Sequence, residues 1–251
     1  MSQRKKTSAS QSKPQRTNEN EDEMTFSQMT SSQVQRAREN FASVQIDRKV
    51  AEVVQFILVK DQKKIPVRRA DIVKHVMKEY KVIYLEVMNR VRRTFEQVFG
   101  LKLEEIDTKN HIYILINKLE AGGTVSMCPG NPGKTGLLFV ILSIIFMKGG
   151  VAKENLVWNT LKKLRVDPRE KHDEFCDVKK LVTDEFVRQK YLEYVRIPHT
   201  EPVEFEFRWG LRADIELSKL KLLEFVAELH DQDPQSWTQQ FREASASESR
   251  T

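Results

Sequence analysis

Cysteine is scarce in this sequence, which has only Cys128 and Cys176 among its 251 residues. Two cysteines cannot form the disulfide framework of a small secreted domain, so we expect a protein of a reducing compartment. No charged start followed by an apolar stretch marks a secretory signal peptide. The longest apolar run, residues 137–147, is well short of the roughly 18 residues that a membrane span requires. The sequence therefore predicts neither secretion nor a membrane partner.

Signatures of catalysis and of cofactor binding are lacking as well. Residues 128–135 look like a phosphate-binding loop, but Cys128 stands where the first glycine belongs and Pro132 removes a backbone N–H donor. His172 and Cys176 could share one helix face, yet the other histidines and the second cysteine are too scattered to complete a tetrahedral zinc site. No Gly-x-Ser-x-Gly motif occurs. We therefore predict no catalytic residue, no cofactor and no metal, and expect a protein that is not an enzyme.

Positive charge, by contrast, is concentrated in one part of the chain. The net charge is +6, yet residues 60–93 alone hold eleven Lys and Arg against four Asp and Glu. A local excess of this size indicates a polyanionic partner, either nucleic acid or an acidic protein surface.

Sequence periodicity divides the chain into a tail, two similar domains and a second tail. Residues 1–45 are polar and nearly free of apolar side chains, which predicts a disordered arm. Apolar residues then recur at helical spacing in three segments, and two alternating segments follow, which is the order of a winged helix. The same order repeats after a Gly- and Pro-rich linker. The helices are expected at about 46–60, 68–80, 85–99, 136–147, 153–164 and 178–189, and the strands at 101–104, 111–116, 191–196 and 203–208.

We therefore predict a mainly α protein with small β-hairpins, an α+β fold of tandem winged-helix domains behind a disordered N-terminal arm. The third helix should end at Gly100, and a turn at residues 107–110 should join the first two strands. A long closing helix, 211–230, should bury Leu223. The face that the third helix should bury consists of Leu85, Met88, Val91, Phe95, Val98 and Phe99. The expected boundaries are 1–45 for the arm, 46–119 for the first winged helix, 120–135 for the linker, 136–232 for the second winged helix and 233–251 for a C-terminal tail.

The basic segment falls on the helices that contact DNA in helix-turn-helix proteins. Few side chains there can read base edges, so the contacts should be mainly to phosphates and depend weakly on sequence. The alternative interpretation is a solvated helix face or a protein-docking surface, because winged helices also bind proteins. The predicted DNA-binding residues are Arg68, Arg69, Lys74, Lys78, Arg90, Arg92 and Arg93, with Lys63 and Lys64 as extensions.

Several long apolar motifs resemble those of the melanoma-antigen homology (MAGE) family, and the similarity covers about residues 47–232. They occur in the family's order at 53–60, 98–103, 136–149, 179–192 and 205–210. One departure is Leu211, which stands where the family usually has proline after Trp-Gly. Within the family the chain is most similar to the ancestral-type members, chiefly through residues 59–66, 196–200 and 230–234.

The resemblance implies a non-catalytic subunit of the SMC 5/6 genome-maintenance complex that acts in the nucleus on chromosomes, in DNA repair and recombination. It implies three partners: a RING-type ubiquitin-ligase subunit (non-SMC element 1), a kleisin subunit (non-SMC element 4) and double-stranded DNA. It also assigns RING binding to an apolar pair at Ile57 and Leu58, although helical spacing alone would equally make both residues core. The alternative function is a ubiquitin-ligase adaptor that stimulates a RING ligase without a DNA role.

Overall fold

Helix α1, Ser43–Asp61, is the first element of the computed structural model, which describes residues 43–117 and 131–248. Its buried side chains follow the spacing of an amphipathic helix: Ile46, Val50, Val53, Val54 and Ile57. The predicted arm, 1–45, lies outside the described residues except for its last three positions, which begin α1. The predicted linker, 120–135, also lies outside them up to residue 130.

The first domain, residues 43–117, is called domain A. Its strands form an antiparallel sheet in the order β1-β3-β2, so the second strand of the hairpin is central. The succession of helix, short strand, two helices and hairpin is that of a winged helix, which confirms the predicted fold class. After α1 the elements are β1 (Val67–Arg68), α2 (an α-helical turn, Arg69–Ile72, and a π-helical turn, Val73–Met77), a 3-10 helix (Lys78–Ile83), α3 (Tyr84–Thr94, extended by a π-helical turn, Phe95–Phe99), β2 (Leu101–Asp107) and β3 (Ile112–Asn117).

Local turn chemistry forms where the sequence predicts it. Gly100 ends α3 in the left-handed conformation, with φ of 64°. Asp107 Oδ1 then accepts hydrogen bonds from the backbone N–H groups of Lys109 and Asn110, at 2.9 and 3.0 Å, and closes the turn between β2 and β3. Both predicted features are confirmed.

The buried face of α3 differs from the prediction at both ends. Leu85, Val98 and Phe99 are 57%, 70% and 41% exposed, whereas Tyr84 and Val87 are buried. The π-helical turn explains the far end, because its wider i to i+5 bonding shifts the angular position of every residue that follows. At the near end, Tyr84 and Val87 continue the buried stripe because they lie four residues before Met88 and Val91, which are buried as predicted, and Leu85 falls outside it.

The second domain, residues 131–248, is called domain B and repeats the order of domain A. Its main sheet has the order β4-β8-β7, so the second hairpin strand is again central. The elements are α4 (Pro132–Met147), β4 (Val151–Lys153), α5 (Glu154–Lys163), β5 (Lys171–His172), β6 (Cys176–Asp177), α6 (Val178–Lys180, Leu181–Glu185 and Phe186–Arg188), β7 (Leu192–Arg196), β8 (Phe205–Trp209), α7 (Leu211–Glu216), α8 (Lys219–Leu229), a 3-10 turn (Pro234–Ser236) and α9 (Thr238–Glu248).

Two boundaries in domain B differ from the prediction. The closing helix is broken, because Leu217 has extended backbone and the Ser218 side chain accepts a hydrogen bond from the Lys221 N–H to start a new helix, α8. The predicted tail after residue 232 contains α9, which buries Ala244 against the core of domain B. Leu223 is fully buried, as predicted.

Each domain has its own apolar core. The core of domain B surrounds α4, whose residues 137–147 are all buried or half-buried, and no helix of the described residues is long and apolar enough to cross a membrane. The two domains touch through the end of α1, β2 and α7.

Candidate nucleic-acid interface

Four of the predicted DNA-binding residues are exposed in domain A. Arg68 lies on β1, Lys74 in the π-helical turn of α2, Lys78 just after it, and Arg93 on the outward face of α3. Lys63, one of the two predicted extensions, is also exposed. Flexible cations on a surface of this kind suit contacts to phosphate oxygens.

Arg69 and Arg92 are held by two tyrosines of the domain A core. The Arg69 guanidinium lies 4.9 Å from the centre of the Tyr84 ring, and that of Arg92 lies 5.9 Å from the centre of the Tyr113 ring. Burial raises the pKa of both phenols, so the rings stay neutral and present their electron-rich faces to the two cations. Both arginines are half-buried and fixed in position, with less reach than the exposed lysines.

Arg90 is engaged inside the domain. Its Nε donates to Glu86 at 2.9 Å, and its Nη1 donates to Asp47 of α1 at 2.8 Å. The hydrogen bond with Glu86, reinforced by the one with Asp47, raises the pKa of Arg90. Two carboxylates thus balance the charge of Arg90. Its structural role is to connect α1 and α3 through these hydrogen bonds.

Lys64 is engaged in the same way. Its Nζ lies 3.2 Å from Asp61 Oδ2, and both side chains are mostly buried. Arg90 and Lys64 were both grouped with the DNA-binding residues by sequence, and the structure separates them from the exposed cations.

A groove of about 340 Å³ runs beside Arg92 between α3 and β2. Its lining combines two cations with three carboxylates: Arg92, Lys102, Glu96, Glu104 and Glu105, together with Leu103. The carboxylates oppose phosphate binding in this groove, so an anionic backbone fits the exposed α2 side of the domain better than the β2 side.

The apolar pair proposed for RING binding is divided between core and surface. Ile57 is 1% exposed and belongs to the core of domain A, whereas Leu58 is half-buried and packs at the edge of that core. Phe56, its neighbour, stacks on His75 of α2 with ring centres 6.1 Å apart. Val59, which is 57% exposed, extends the apolar surface of α1 beyond Leu58.

Residues 131–135 of the phosphate-loop-like segment begin helix α4, and residues 128–130 lie outside the described residues. The Asn131 side chain accepts a hydrogen bond from the Lys134 N–H at 2.9 Å, and the Lys134 ammonium lies 3.4 Å from Glu185. The carboxylate of Glu174 packs against Gly133 so closely that a Cβ there would overlap it. A carboxylate in this position repels an incoming phosphate, so the segment does not fit a nucleotide.

His172 and Cys176 face each other in the small β5-β6 hairpin rather than on a helix. The His172 ring stacks on Phe175, with ring centres 4.5 Å apart. The part of the chain that the structure describes contains no group of three or more potential metal ligands.

Sequence reasoning missed a second cationic surface, on domain B. It lies at the end of α5 and the start of α6, the positions that correspond to the end of α2 and the start of α3 in domain A. Its exposed members are Lys163, Arg165, Lys179 and Lys180, and Lys162 is paired with Asp167 at 3.3 Å. Acidic residues elsewhere in domain B bring its net charge close to zero. A count of charges at the end of each helix, rather than over the whole domain, would have found this surface.

The chain is similar to a known protein family, to named proteins and to a solved structure. The model of the MAGE homology domain matches residues 53–220. The Homo sapiens protein called Non-structural maintenance of chromosomes element 3 homolog is 51% identical over 206 residues, which cover 81% of this chain and 68% of that protein. The Mus musculus protein of the same name is 50% identical over 206 residues, covering 81% and 74%. A chain of the solved Nse1-Nse3-Nse4 complex is 55% identical with a TM-score of 0.75, covering 82% of this chain and 100% of that one.

Proposed function

We propose, because this chain belongs to the MAGE homology domain family, that it is a non-catalytic subunit of the SMC 5/6 genome-maintenance complex. The observation that carries the proposal is its likeness to the whole length of a chain in the solved Nse1-Nse3-Nse4 complex. The name of the human relative, which refers to maintenance of chromosomes, agrees with it. The subunit would act in the nucleus on chromosomes, in DNA repair and recombination.

The proposed protein partners are Nse1, as the RING-type ubiquitin-ligase subunit (non-SMC element 1), and Nse4, as the kleisin subunit (non-SMC element 4). The test is to mix the purified chain with both proteins and to measure the mass of the product by light scattering. A stable three-protein particle supports the proposal. Failure of the folded chain to bind either protein contradicts it.

We propose that Ile57 and Leu58 both serve binding of the RING partner, and that each residue has a different role. Leu58 is half-buried beside the exposed Val59 and can touch a partner directly. Ile57 lies in the core and would support the surface indirectly, by holding α1 in place. Ile57→Ala should therefore act through stability, at a cost of about 2–5 kcal/mol, the usual range for a buried isoleucine.

Leu58→Ala separates the two roles. It should weaken Nse1 binding while leaving the circular-dichroism melt nearly unchanged, because the residue lies at the edge of the core. The matched control is Val44→Ala, on the same helix and 79% exposed, which should leave both unchanged. Normal Nse1 binding by Leu58→Ala would show that the pair is not the RING contact.

The proposed DNA surface consists of the exposed cations Arg68, Lys74, Lys78 and Arg93, extended by Lys63. Arg69 and Arg92 would add to the positive potential from fixed positions above the tyrosine rings. Arg90 and Lys64 would contribute little, because carboxylates already pair with them. Four phosphate contacts predict a slope of about −3.6 for log K against log salt concentration.

The test is a titration of duplex DNA at several salt concentrations, read by fluorescence anisotropy. Lys74→Glu with Lys78→Glu should weaken binding to all sequences alike and flatten the salt dependence. The matched variant is Lys179→Glu with Lys180→Glu, the corresponding charge reversal on domain B. Loss of binding in the domain B variant alone would move the DNA contact to domain B and overturn this assignment.

One observation favours the alternative function, a ubiquitin-ligase adaptor without a DNA role. Carboxylates pair with two of the predicted cations, and three more line the groove beside Arg92. An adaptor would stimulate ubiquitin transfer by Nse1 equally well with and without the Lys74 and Lys78 reversals, and the native chain would show no salt-dependent DNA binding. DNA binding by the native chain excludes this alternative.

A further inference from the structure

The start of helix α1 lies beside exposed cations of domain A. Lys49, in the second turn of α1, donates through Nζ to the Val76 carbonyl at 3.2 Å and lies 5.0 Å from the centre of the Tyr80 ring. Val76 and Tyr80 stand two residues before and two residues after Lys78. The first half of α1 is therefore packed against the end of α2, where Lys74 and Lys78 are exposed.

The same part of α1 contacts α3. Asp47 accepts a hydrogen bond from Arg90 at 2.8 Å, and the exposed Arg93 follows Arg90 by one helical turn. Ser43, the first residue of α1, precedes Asp47 by four residues, or about 6 Å along a helix. The chain that leads into Ser43 thus enters domain A close to Arg93 and to the two lysines.

The three cations differ from their neighbours in having no carboxylate partner. Within the described part of the chain, carboxylates pair with Arg90 and Lys64 but with none of Lys74, Lys78 and Arg93. Unpaired cations on neighbouring elements add their potentials, so together they attract an anionic segment more strongly than each does alone.

An anionic segment occurs a short way upstream in the sequence. Residues 17–35 contain four Asp and Glu and no Lys or Arg, and the four acidic residues all fall within residues 19–23. The Lys and Arg residues of this part of the chain come before residue 17 and after residue 35.

The length of chain between the acidic residues and α1 allows them to return to the cations. Glu23 precedes Ser43 by 20 positions. That many residues reach up to about 66 Å when extended. This reach is more than twice the length of about 28 Å that the 19 residues of α1 have.

We propose that the acidic run, Glu19, Glu21, Asp22 and Glu23, docks on Lys74, Lys78 and Arg93 of its own chain and competes with DNA for them. Because the run and the surface belong to one chain, the run competes at an effective concentration of the order of millimolar. The effect on DNA rests on the DNA surface proposed above, whereas the docking requires only the three cations.

Zero-length cross-linking of the full chain tests the docking in the absence of DNA. A water-soluble carbodiimide joins a lysine Nζ to a carboxylate only where the two are in contact, and mass spectrometry identifies the joined pair. Links from the acidic run to Lys74 or Lys78 are expected. Links from the run to Lys179 or Lys180 of domain B instead, or no link from the run in the folded chain, would overturn the proposal.

The chemical control is Lys74→Arg with Lys78→Arg. Arginine keeps the positive charge but does not form the cross-link. This variant should therefore lose the links while its affinity for duplex DNA stays close to that of the native chain.

Neutral substitutions in the acidic run test the competition. Glu19→Gln, Glu21→Gln, Asp22→Asn and Glu23→Gln together should raise the affinity for duplex DNA about tenfold, the gain expected when the run covers the cations in about nine of ten molecules. The matched control makes the same change in net charge at exposed carboxylates of domain B, with Glu201→Gln, Glu224→Gln, Glu228→Gln and Asp231→Asn. No rise, or an equal rise in the control, would overturn the competition.

Failure of the docking and failure of the DNA surface give different results. Cross-links to Lys74 or Lys78 in a chain that binds no duplex DNA would support the docking and refute the DNA surface. DNA binding that depends on Lys74 and Lys78, in a chain without those cross-links, would support the DNA surface and refute the docking.

Discussion

Substitution of Gly210 by alanine should destabilise domain B strongly, although its backbone angles, φ of −90° and ψ of 160°, suit any residue. The obstacle is space. A Cβ at this position would lie 2.7 Å from the Lys190 carbonyl carbon and 2.9 Å from that of Tyr191, and would overlap the Lys190 carbonyl oxygen. The atoms that it meets belong to the backbone and cannot swing aside.

The magnitude follows from what must move. Relieving the overlap requires a displacement of about 1 Å, which would stretch the Gly210–Tyr191 and Arg212–Lys190 hydrogen bonds from 2.8 and 3.0 Å beyond hydrogen-bonding range. Overpacking costs about 1–3 kcal/mol, and each lost hydrogen bond about 1 kcal/mol. We therefore expect Gly210→Ala to lower the free energy of unfolding of domain B by about 3 kcal/mol.

Urea unfolding followed by tryptophan fluorescence measures this effect in one domain. The three tryptophans, Trp158, Trp209 and Trp237, all lie in domain B. The urea midpoint should fall by about 1–3 M for a typical urea dependence. Gly136→Ala is the matched control: it lies on α4 with nothing within 4 Å of the added Cβ, so it should raise stability by about 0.5–1 kcal/mol. Equal midpoints for Gly210→Ala and the native chain would refute the steric argument.

Two further predictions use the same assay. Leu223→Ala should cost about 2–5 kcal/mol, because the side chain is fully buried, whereas Leu229→Ala, at a position 68% exposed, should change stability by less than about 0.5 kcal/mol. Burial raises the pKa of Glu216 above 4.5, although the charge of Arg212 acts to lower it, so folded domain B holds this proton more tightly than the unfolded chain does. The contribution of Glu216 is therefore greatest below pH 4.5 and is lost as pH rises through the raised value. The stability of Glu216→Gln relative to the native chain should be higher at pH 7 than at pH 4, and an equal difference at both would contradict the argument.

The parts of the fold that local sequence determines could be predicted. The turn at Asp107 and the cap at Gly100 depend on residues close in sequence, and both form as expected. The two- and three-residue strands β1 and β4 could not be predicted, because they exist only through pairing with β3 and β8, more than 40 residues away. The break at Leu217 has one local signal in the sequence, because Ser218 is a residue type that often begins a helix. The apolar residues of the closing segment keep helical spacing across the break, so they predict one continuous helix.

In the candidate site, too, features set by local sequence could be predicted and features set by distant contacts could not. The exposure of Lys74, Lys78 and Arg93 follows from helical periodicity. The engagement of Arg90 does not, because its second partner, Asp47, lies 43 residues earlier in the chain. Burial of Arg212 on α7 could not be anticipated either, since nothing in its local sequence distinguishes it from an exposed arginine.

Helix α1 gives these separate features a mechanical connection. Its 19 residues make a rod about 28 Å long, with Asp61 close to the domain contact at one end and Asp47, bonded to Arg90 of α3, near the other. Because its buried side chains lie in the core of domain A from Ile46 to Ile57, α1 moves with that core as one body. The Asp47–Arg90 pair adds a polar bond between α1 and α3 to this packing, so a displacement at the domain contact moves both helices together.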